Sequence, residues 1–233
     1  MNYAIIAAGE GSRLAQEGVQ KPKPLVQLNG EPMIGRLISI FDSLNAESIS
    51  VIVNNEMVEV QDYLQSVTTQ CPLNIVVKST PSSMHSFYEL SKIMKPGKFC
   101  LTTVDTIFRV SDFAPYIKAF EAEDNFDGMM AVTPFIDDEK PLYVATDEHD
   151  VITAFCDSFQ PGIKYVSGGV YALSDKAFPV LNRCIDSGIS RMRNFQRALI
   201  EGGLSLKAYP IPKIVDVDHV GDIIKAEQFI SEQ

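Results

Sequence analysis

Glycines 9 and 11 lie in the run Ala7-Ala8-Gly9-Glu10-Gly11-Ser12-Arg13-Leu14, directly behind the apolar stretch that begins at Tyr3. Glycine at both positions lets successive backbone N–H groups turn toward one centre, which is how a loop cradles phosphate oxygens. Arg13 adds a forked cation at the end of that loop. Downstream, Lys21-Pro22-Lys23-Pro24-Leu25-Val26 brackets Lys23 with prolines, which predicts a stiff, extended segment that presents the ammonium to a phosphate. Lys21 reads as a solvated loop lysine. A lone Gly-x-Gly also suits a tight structural turn; joined to Pro-Lys-Pro it points to phosphate binding. The dinucleotide fingerprint needs a small residue where Leu14 stands, and the loop is expected to run on without an immediate helix, so a dehydrogenase is disfavoured. No G-x-x-x-x-G-K-[ST] string occurs, which disfavours a P-loop kinase or ATPase.

Other chemistry is excluded by spacing and charge. Cys71, Cys100, Cys156 and Cys184 are too scattered for a metal knuckle or a C-x-x-C redox pair and read as reduced packing thiols. His85, His149 and His219 form no zinc-type pair. With 20 Lys+Arg against 30 Asp+Glu in 233 residues, the formal charge of −10 repels nucleic acid and anionic lipid, so any anionic ligand must meet a few local cations. No apolar run approaches the roughly 20 residues of a spanning helix. Met1 and Asn2 lead straight into a strand-like run without a basic or signal-type leader, which makes a cytoplasmic location the expectation. The sequence carries no signal of a fixed oligomeric state.

The elements that must hold these residues alternate. Strands are predicted at Tyr3 to Ala7, Ile49 to Val53, Asn74 to Lys78 and Phe99 to Val104. Helices are predicted at Met33 to Leu44, Val58 to Val67, Met84 to Met94 and Ser111 to Glu123, the last with Ser111 as N-cap. Such βαβα order implies a parallel sheet covered by helices. After Asp127 come strands with little helix between them: Met129 to Phe135, Leu142 to Thr146, Val151 to Phe155 and Tyr165 to Leu173, with Asp147-Glu148-His149-Asp150 as a hairpin tip. Helices at Asp175 to Ile185 and Met192 to Glu201, a strand at Leu204 to Tyr209 and a helix at Val220 to Ser231 follow. The expectation is one α/β domain: a Rossmann-like three-layer α/β/α fold with a mostly parallel, mixed sheet and a β-rich acceptor-side insertion. Its nucleotide-binding part covers about 1–125, its acceptor side about 126–215, and its closing helix 219–232.

The string A-A-G-x-G-[ST]-R-L followed by P-K-P-L resembles the opening of the nucleotidyltransferases that make nucleotide-activated sugars and phosphocholine. Three further segments extend the likeness over most of the chain. Phe99 to Phe108 (FCLTTVDTIF) resembles the strand that ends in the family's metal-binding aspartate, here Asp105; Val166 to Leu173 (VSGGVYAL) resembles the strand that carries a glycine, here Gly169, against the acceptor; and Ile214 to Glu227 (IVDVDHVGDIIKAE) resembles the closing segment with the second metal aspartate. The resemblance implies attack of an acceptor phosphate oxygen on the α-phosphorus of a nucleoside triphosphate, with pyrophosphate leaving and Mg2+ as cofactor. It casts Lys23 and Arg13 as catalytic cations and Ala7, Ala8, Gly9, Glu10, Gly11, Ser12 and Arg13 as the triphosphate loop. It casts Asp105 and Asp216 as metal ligands; because residues two apart on a strand share a side, Asp218 is the reserve for Asp216. A turn or capping role for Asp105 is the plain alternative.

Departures from the pattern mark the acceptor side. Val104 replaces the usual glycine before the metal aspartate. Where many sugar enzymes carry Glu-Lys-Pro, this chain reads Cys156-Asp157-Ser158-Phe159, so the customary acceptor lysine is absent; Lys164 is its possible replacement or a solvated loop lysine. Pro81-Ser82-Ser83-Met84-His85-Ser86-Phe87-Tyr88 is closer to the phosphocholine-type cytidylyltransferases, with Ser82 and Ser83 either bonding the base or ribose or capping the helix. Tyr171, with Tyr88, Phe159 and Tyr165, and Asp157 as counter-charge, would suit a cationic alcohol phosphate. The Ser167-Gly168-Gly169 turn would suit a sugar phosphate, the favoured acceptor. The molybdopterin-type branch of the fold continues its loop into a shorter G-x-x-K, which this sequence does not resemble. A nucleotide-binding protein without turnover is the alternative from another class.

Overall fold

The computed structural model describes residues 1–137 and 139–232. The first half lays down β1 (Asn2–Ala7), α1 (Ser12–Gln16), the small hairpin β2 (Gln27–Leu28) and β3 (Glu31–Pro32), α2 (Met33–Ser43), β4 (Ser48–Val53), α3 (Val58–Ser66), β5 (Leu73–Val77), α4 (Ser83–Ser91), β6 (Phe99–Thr103), β7 (Thr106–Ile107) and α5 (Val110–Glu121). The second half adds β8 (Gly128–Thr133), β9 (Tyr143–Thr146), β10 (Ile152–Cys156), β11 (Tyr165–Leu173), α6 (Ala177–Asp186), α7 (Met192–Glu201), β12 (Leu206–Pro210), β13 (Val215–Asp216) and α8 (Val220–Ser231).

Strand β1 shows why the sheet takes three layers. It is buried at all six positions, with Tyr3, Ile5 and Ala7 in a core shared with α2, α5 and α8, and Ala4 and Ile6 in a second core shared with α4, α6 and α7. A strand covered on both faces has no polar side to offer, hence its unbroken apolar run. Strands β5, β4, β1 and β6 lie side by side and parallel. Antiparallel β11 follows β6, then β8 and the parallel β12, while the β9–β10 hairpin pairs with the start of β11. The result is the expected mixed, mostly parallel α/β sheet with its antiparallel part on the acceptor side.

Four details differ from the sequence expectation. A short helix, α1, does follow the glycine loop at once; it lasts five residues because its carbonyls are capped by Glu17 and Gly18 before Val19 turns back to Leu14. Lys23 is not extended: Pro22 is, and Lys23–Leu25 form a 3-10 turn closed by Leu25 N–H on the Pro22 carbonyl. The N-cap of α5 is Arg109, so Ser111 lies in the first turn. Ser167-Gly168-Gly169 is no chain reversal but an irregularity inside β11, where four residue steps from Ser167 to Tyr171 oppose two on β8. Just beyond it the fully buried Tyr116 of α5 bridges the two strands: its hydroxyl donates to the Met129 carbonyl (2.7 Å) and accepts from Ala172 N–H (2.8 Å).

Candidate active site

The loops that follow β1, β4, β5 and β6 all leave the sheet at one edge, the carboxyl edge where open α/β sheets hold ligands. Between them lies a cavity of about 650 Å³ walled by Ala8 to Arg13, Lys23, Asn54, Ser79 to Ser83, Val104, Asp105 and Asp218. Gly11 joins the two motifs of the first thirty residues. Its φ is +63°, and a Cβ there would stand 2.7 Å from Lys23 Cβ, so only glycine lets the loop lie on the lysine stem.

Lys23 is the centre of the site, with its side chain only 10% exposed. Its ammonium donates to Asp105 Oδ2 and, at 2.7 Å, to Asp218 Oδ1, while Arg13 Nη1 holds the other Asp218 oxygen at 2.8 Å. Burial by itself lowers the pKa of Lys23, but the Asp105 and Asp218 carboxylates outweigh it and hold the ammonium above the ordinary lysine value. Burial raises Asp218 in the same way, and the Lys23 hydrogen bond with the charges of Lys23 and Arg13 brings it below the usual aspartate value.

The closing segment reaches this point through a minute antiparallel pair, β13 on β7, with Asp216 opposite Thr106 and Val217 N–H on the Asp105 carbonyl. Strand alternation ends there. Asp218 already belongs to the N-terminal cap of α8, where the Asp222 carboxylate accepts from the N–H groups of Asp218 (3.2 Å) and His219 (2.9 Å). Asp218 is thereby turned to Lys23 and Asp105, while Asp216 lines two smaller cavities on the other side. The fold therefore brings the reserve aspartate, rather than the one favoured by motif alignment, to the lysine. One ammonium bonded to both Asp105 and Asp218 shows that these carboxylates converge within reach of a single cation, beside an open cavity; the donor set fits a magnesium ion that takes few carboxylates and fills its octahedron with water and phosphate oxygens.

Two further cavities, about 370 and 250 Å³, on the side where the sequence places the acceptor, adjoin the glycine-loop cavity through Arg13 and Asp218 and through Thr103. Gly169 and Tyr171 line the smaller one. The Tyr171 hydroxyl accepts from Gln196 at 3.5 Å, and burial followed by the Asp216 charge drives its pKa up. Asp157 and Lys164 line none of these cavities. Asp157 is held by Arg193 (2.8 Å) and Arg197 (2.7 Å), which leaves it no role as counter-charge to an ammonium, and Lys164 is exposed. Ser82 has the capping role offered for it, its hydroxyl capping α4 through His85, and with Ser83 it lines the glycine-loop cavity.

Two wall residues escape a sequence reading. Asn54, at the end of β4, donates to the Ala8 carbonyl (3.4 Å) and accepts from Ser79 (2.7 Å), tying three strand-end loops together. An Asn-Asn pair after a β-branched run was its only signal. Gln196, 2% exposed, accepts from Ser167 at 2.9 Å on the wall of the smaller cavity, yet nothing in its helical sequence context marks it.

Residues 3–197 match the MobA-like NTP transferase domain. The chain belongs to this family. The MobA-like domain is 30% identical over 110 residues to the 2-aminoethylphosphonate cytidylyltransferase of Lancefieldella rimae, covering 46% of this chain and 43% of that protein. The whole chain is 22% identical over 236 residues to the bifunctional protein GlmU of Methanococcus maripaludis, covering 97% of this chain and 53% of that one. The chain thus spans about half the length of the curated relatives it matches. Among solved structures, the inositol-1-phosphate CTP transferase of T. maritima shares its fold, with a TM-score of 0.81 at 18% identity over 99% of this chain and 96% of that one. Among the described residues, no helix of this MobA-like protein is long and apolar enough to cross a membrane.

Proposed function

We propose that this MobA-like protein transfers a nucleotidyl group from a nucleoside triphosphate to a small phosphorylated acceptor and releases pyrophosphate. The observation that carries this reading is the convergence of Lys23, Asp105, Asp218 and Arg13 at the mouth of the glycine-loop cavity, where it meets the acceptor-side cavities. An acceptor phosphate oxygen forms the new bond to the α-phosphorus. The bond from that phosphorus to the bridging oxygen breaks, and its electron pair leaves with pyrophosphate. Both reactants are anions, so the work of the site is alignment and charge neutralisation.

The backbone from Ala8 to Ser12 holds the triphosphate, Arg13 faces the leaving phosphates, and Lys23 faces the α-phosphate and incoming oxygen. Asp105 and Asp218 would hold Mg2+, and Asp216 lines the two smaller cavities beside them. When bound, the ion supplies charge neutralisation and orientation of phosphate oxygens. Lys23, now paired with both carboxylates, would turn to the phosphate oxygens and keep a cation in that nearly buried place. A protein that merely sensed nucleotide would not need all four charged groups.

A sugar phosphate is the first acceptor to test. Cytidylyl transfer to an amino-alcohol phosphate or phosphonate is the second reading, favoured by the Lancefieldella relative, a 2-aminoethylphosphonate cytidylyltransferase, and by the serine segment Ser82-Ser83 on the cavity wall. The test is pyrophosphate release with each of the four nucleoside triphosphates and magnesium, against glucose 1-phosphate, inositol 1-phosphate, phosphocholine and 2-aminoethylphosphonate. Release that depends on one acceptor is expected. Nucleotide binding without acceptor-dependent release would leave the non-catalytic reading in its place.

A further inference from the structure

The glycine loop is held in shape by a residue outside it. Among the described residues the N–H groups of Gly9, Glu10, Gly11, Ser12 and Arg13 meet no acceptor, and these residues wall the 650 Å³ cavity. Free donors are what an anion needs, but a loop without bonds of its own has little to fix their direction. At one end Gly11 rests on the Lys23 stem. At the other lies the peptide unit between Ala8 and Gly9. A Cβ at Gly9 would meet nothing within 4 Å, and its φ is not positive, so the observed conformation does not itself call for glycine. What glycine gives there is a peptide unit that can turn over at little cost, exchanging the Gly9 N–H for the Ala8 carbonyl.

Asn54 bonds that unit. Buried at the end of β4, it donates from Nδ2 to the Ala8 carbonyl at 3.4 Å. Its Oδ1 accepts from the Ser79 hydroxyl (2.7 Å) and from Glu56 N–H (3.0 Å), so the amide has one way to face, with its nitrogen toward Ala8. The Asn54 carbonyl accepts from Met57 N–H and from Gln61 Nε2, both at 3.2 Å, which fixes the stem.

We infer that Asn54 is a positioning residue that sets the sense of the Ala8–Gly9 peptide unit, so that the Gly9 N–H and not the Ala8 carbonyl meets the nucleotide. The inference rests on the transfer reading above and deepens it. The C=O and N–H of a trans peptide point in opposite directions, so a carbonyl pinned toward β4 turns its N–H the other way. With the pin removed, the turned-over unit would aim the negative end of a carbonyl at a polyanion and replace an attraction by a repulsion. Ser79, in the loop after β5, acts one step further back, by orienting the amide that does the pinning.

The test reads the loop before any ligand is added. Isotope-labelled full-length protein, Asn54→Ala, Ser79→Ala and the double variant are compared by NMR, and each is then titrated with the four nucleoside triphosphates in the presence of magnesium. The parent should show one Gly9 amide signal. Asn54→Ala should show a second or exchange-broadened one, and should bind the parent's best triphosphate at least about tenfold more weakly. Ser79→Ala should weaken binding about two- to fivefold, and the double variant no further than Asn54→Ala alone. A lower melting temperature does not by itself split the Gly9 signal, which keeps lost positioning apart from lost stability. An unchanged Gly9 signal in Asn54→Ala overturns the inference even if affinity falls, because the side chain then touches the nucleotide directly. Additive losses in the double variant, or a parent that binds no triphosphate, overturn it as well. In the transfer assay Asn54→Ala should raise the nucleotide KM at least about tenfold and leave the acceptor KM within about twofold. If the Gly9 signal and triphosphate affinity respond as expected but no acceptor supports pyrophosphate release, the transfer reading fails and the role of Asn54 stands; if release is normal in Asn54→Ala, the role fails and transfer stands.

Discussion

The glycine-loop side and the β11 side of this protein, which the proposed function makes its nucleotide and acceptor sides, are built on opposite plans. On the first, parallel strands β1, β4, β5 and β6 end at one edge and hand the chain to short loops, so backbone amides and the few residues after each strand make the cavity. On the second, the cavity walls come from inside an antiparallel strand, β11, whose irregular stretch is held by a tyrosine from α5 and a glutamine from α7. A loop at a strand end can be rewritten without disturbing the sheet; a bulge inside a strand is coupled to every element packed on it. The nucleotide side should thus separate function from stability cleanly, and the acceptor side should not.

The largest effect expected is on the nucleotide side. Lys23→Ala should lower turnover by at least about a hundredfold, the scale on which a preorganised charge acts in a transition state, with little change in melting temperature. Lys21→Ala should be near normal, since Lys21 only pairs with exposed Glu59. Steady-state pyrophosphate release checks both, and a failure of Lys21→Ala with an active Lys23→Ala would move the catalytic lysine.

Next in size is the metal pair. Asp105→Asn and Asp218→Asn should each abolish magnesium-dependent nucleotide binding in calorimetry, because a neutral amide is a poor magnesium ligand. Asp216→Asn should be milder. The opposite order of Asp216 and Asp218 would mean that the closing segment shifts when nucleotide binds.

On the acceptor side Gly169→Ala should cost both stability and acceptor affinity. Its φ of +73° strains any L side chain, and the added Cβ would stand 2.9 Å from Thr106 Oγ1 on β7. A loss of roughly 1–3 kcal/mol in denaturant unfolding is expected, with a raised acceptor KM. A variant of full stability that still loses acceptor binding would show that the two sides are less different than their construction implies.

The smallest effect concerns the clasp between α1 and α8, where the Glu17 carboxylate meets His219 Nδ1 and Val220 N–H. The hydrogen bond to Glu17 raises the pKa of His219 above its usual 6.5. A raised folded-state value means that the pair contributes its stability in full below 6.5 and loses it as pH rises through the folded value. Thermal melts from pH 6 to 9 should therefore show a small loss that is absent in His219→Gln.

Much of the molecule could be read from the chain because local physics decided it. The unbroken apolar run at Tyr3, the glycines beside Arg13, the hairpin tip at Asp147 to Asp150 and the closing helix Val220–Ser231 each follow from a few neighbouring residues. Asp157 could not be placed in the same way, since the arginines that hold it stand on α7, at least 36 residues away in the chain and beyond β11 and α6. Nor could Gln196, whose partners Ser167 and Tyr171 lie on β11.

By itself the sequence determined the alternation of strands and helices and the glycine loop behind β1, because strand periodicity and glycine conformation act over a handful of bonds. Only the tertiary structure decided which aspartate faces Lys23. Asp216 and Asp218 look equivalent along a strand, but β13 stops at Asp216 and the cap of α8 then swings Asp218 round to Lys23 and Arg13. Where one periodic element yields to another, side-chain direction is set by the partners that satisfy the free backbone groups, here Asp222, and not by the residue count.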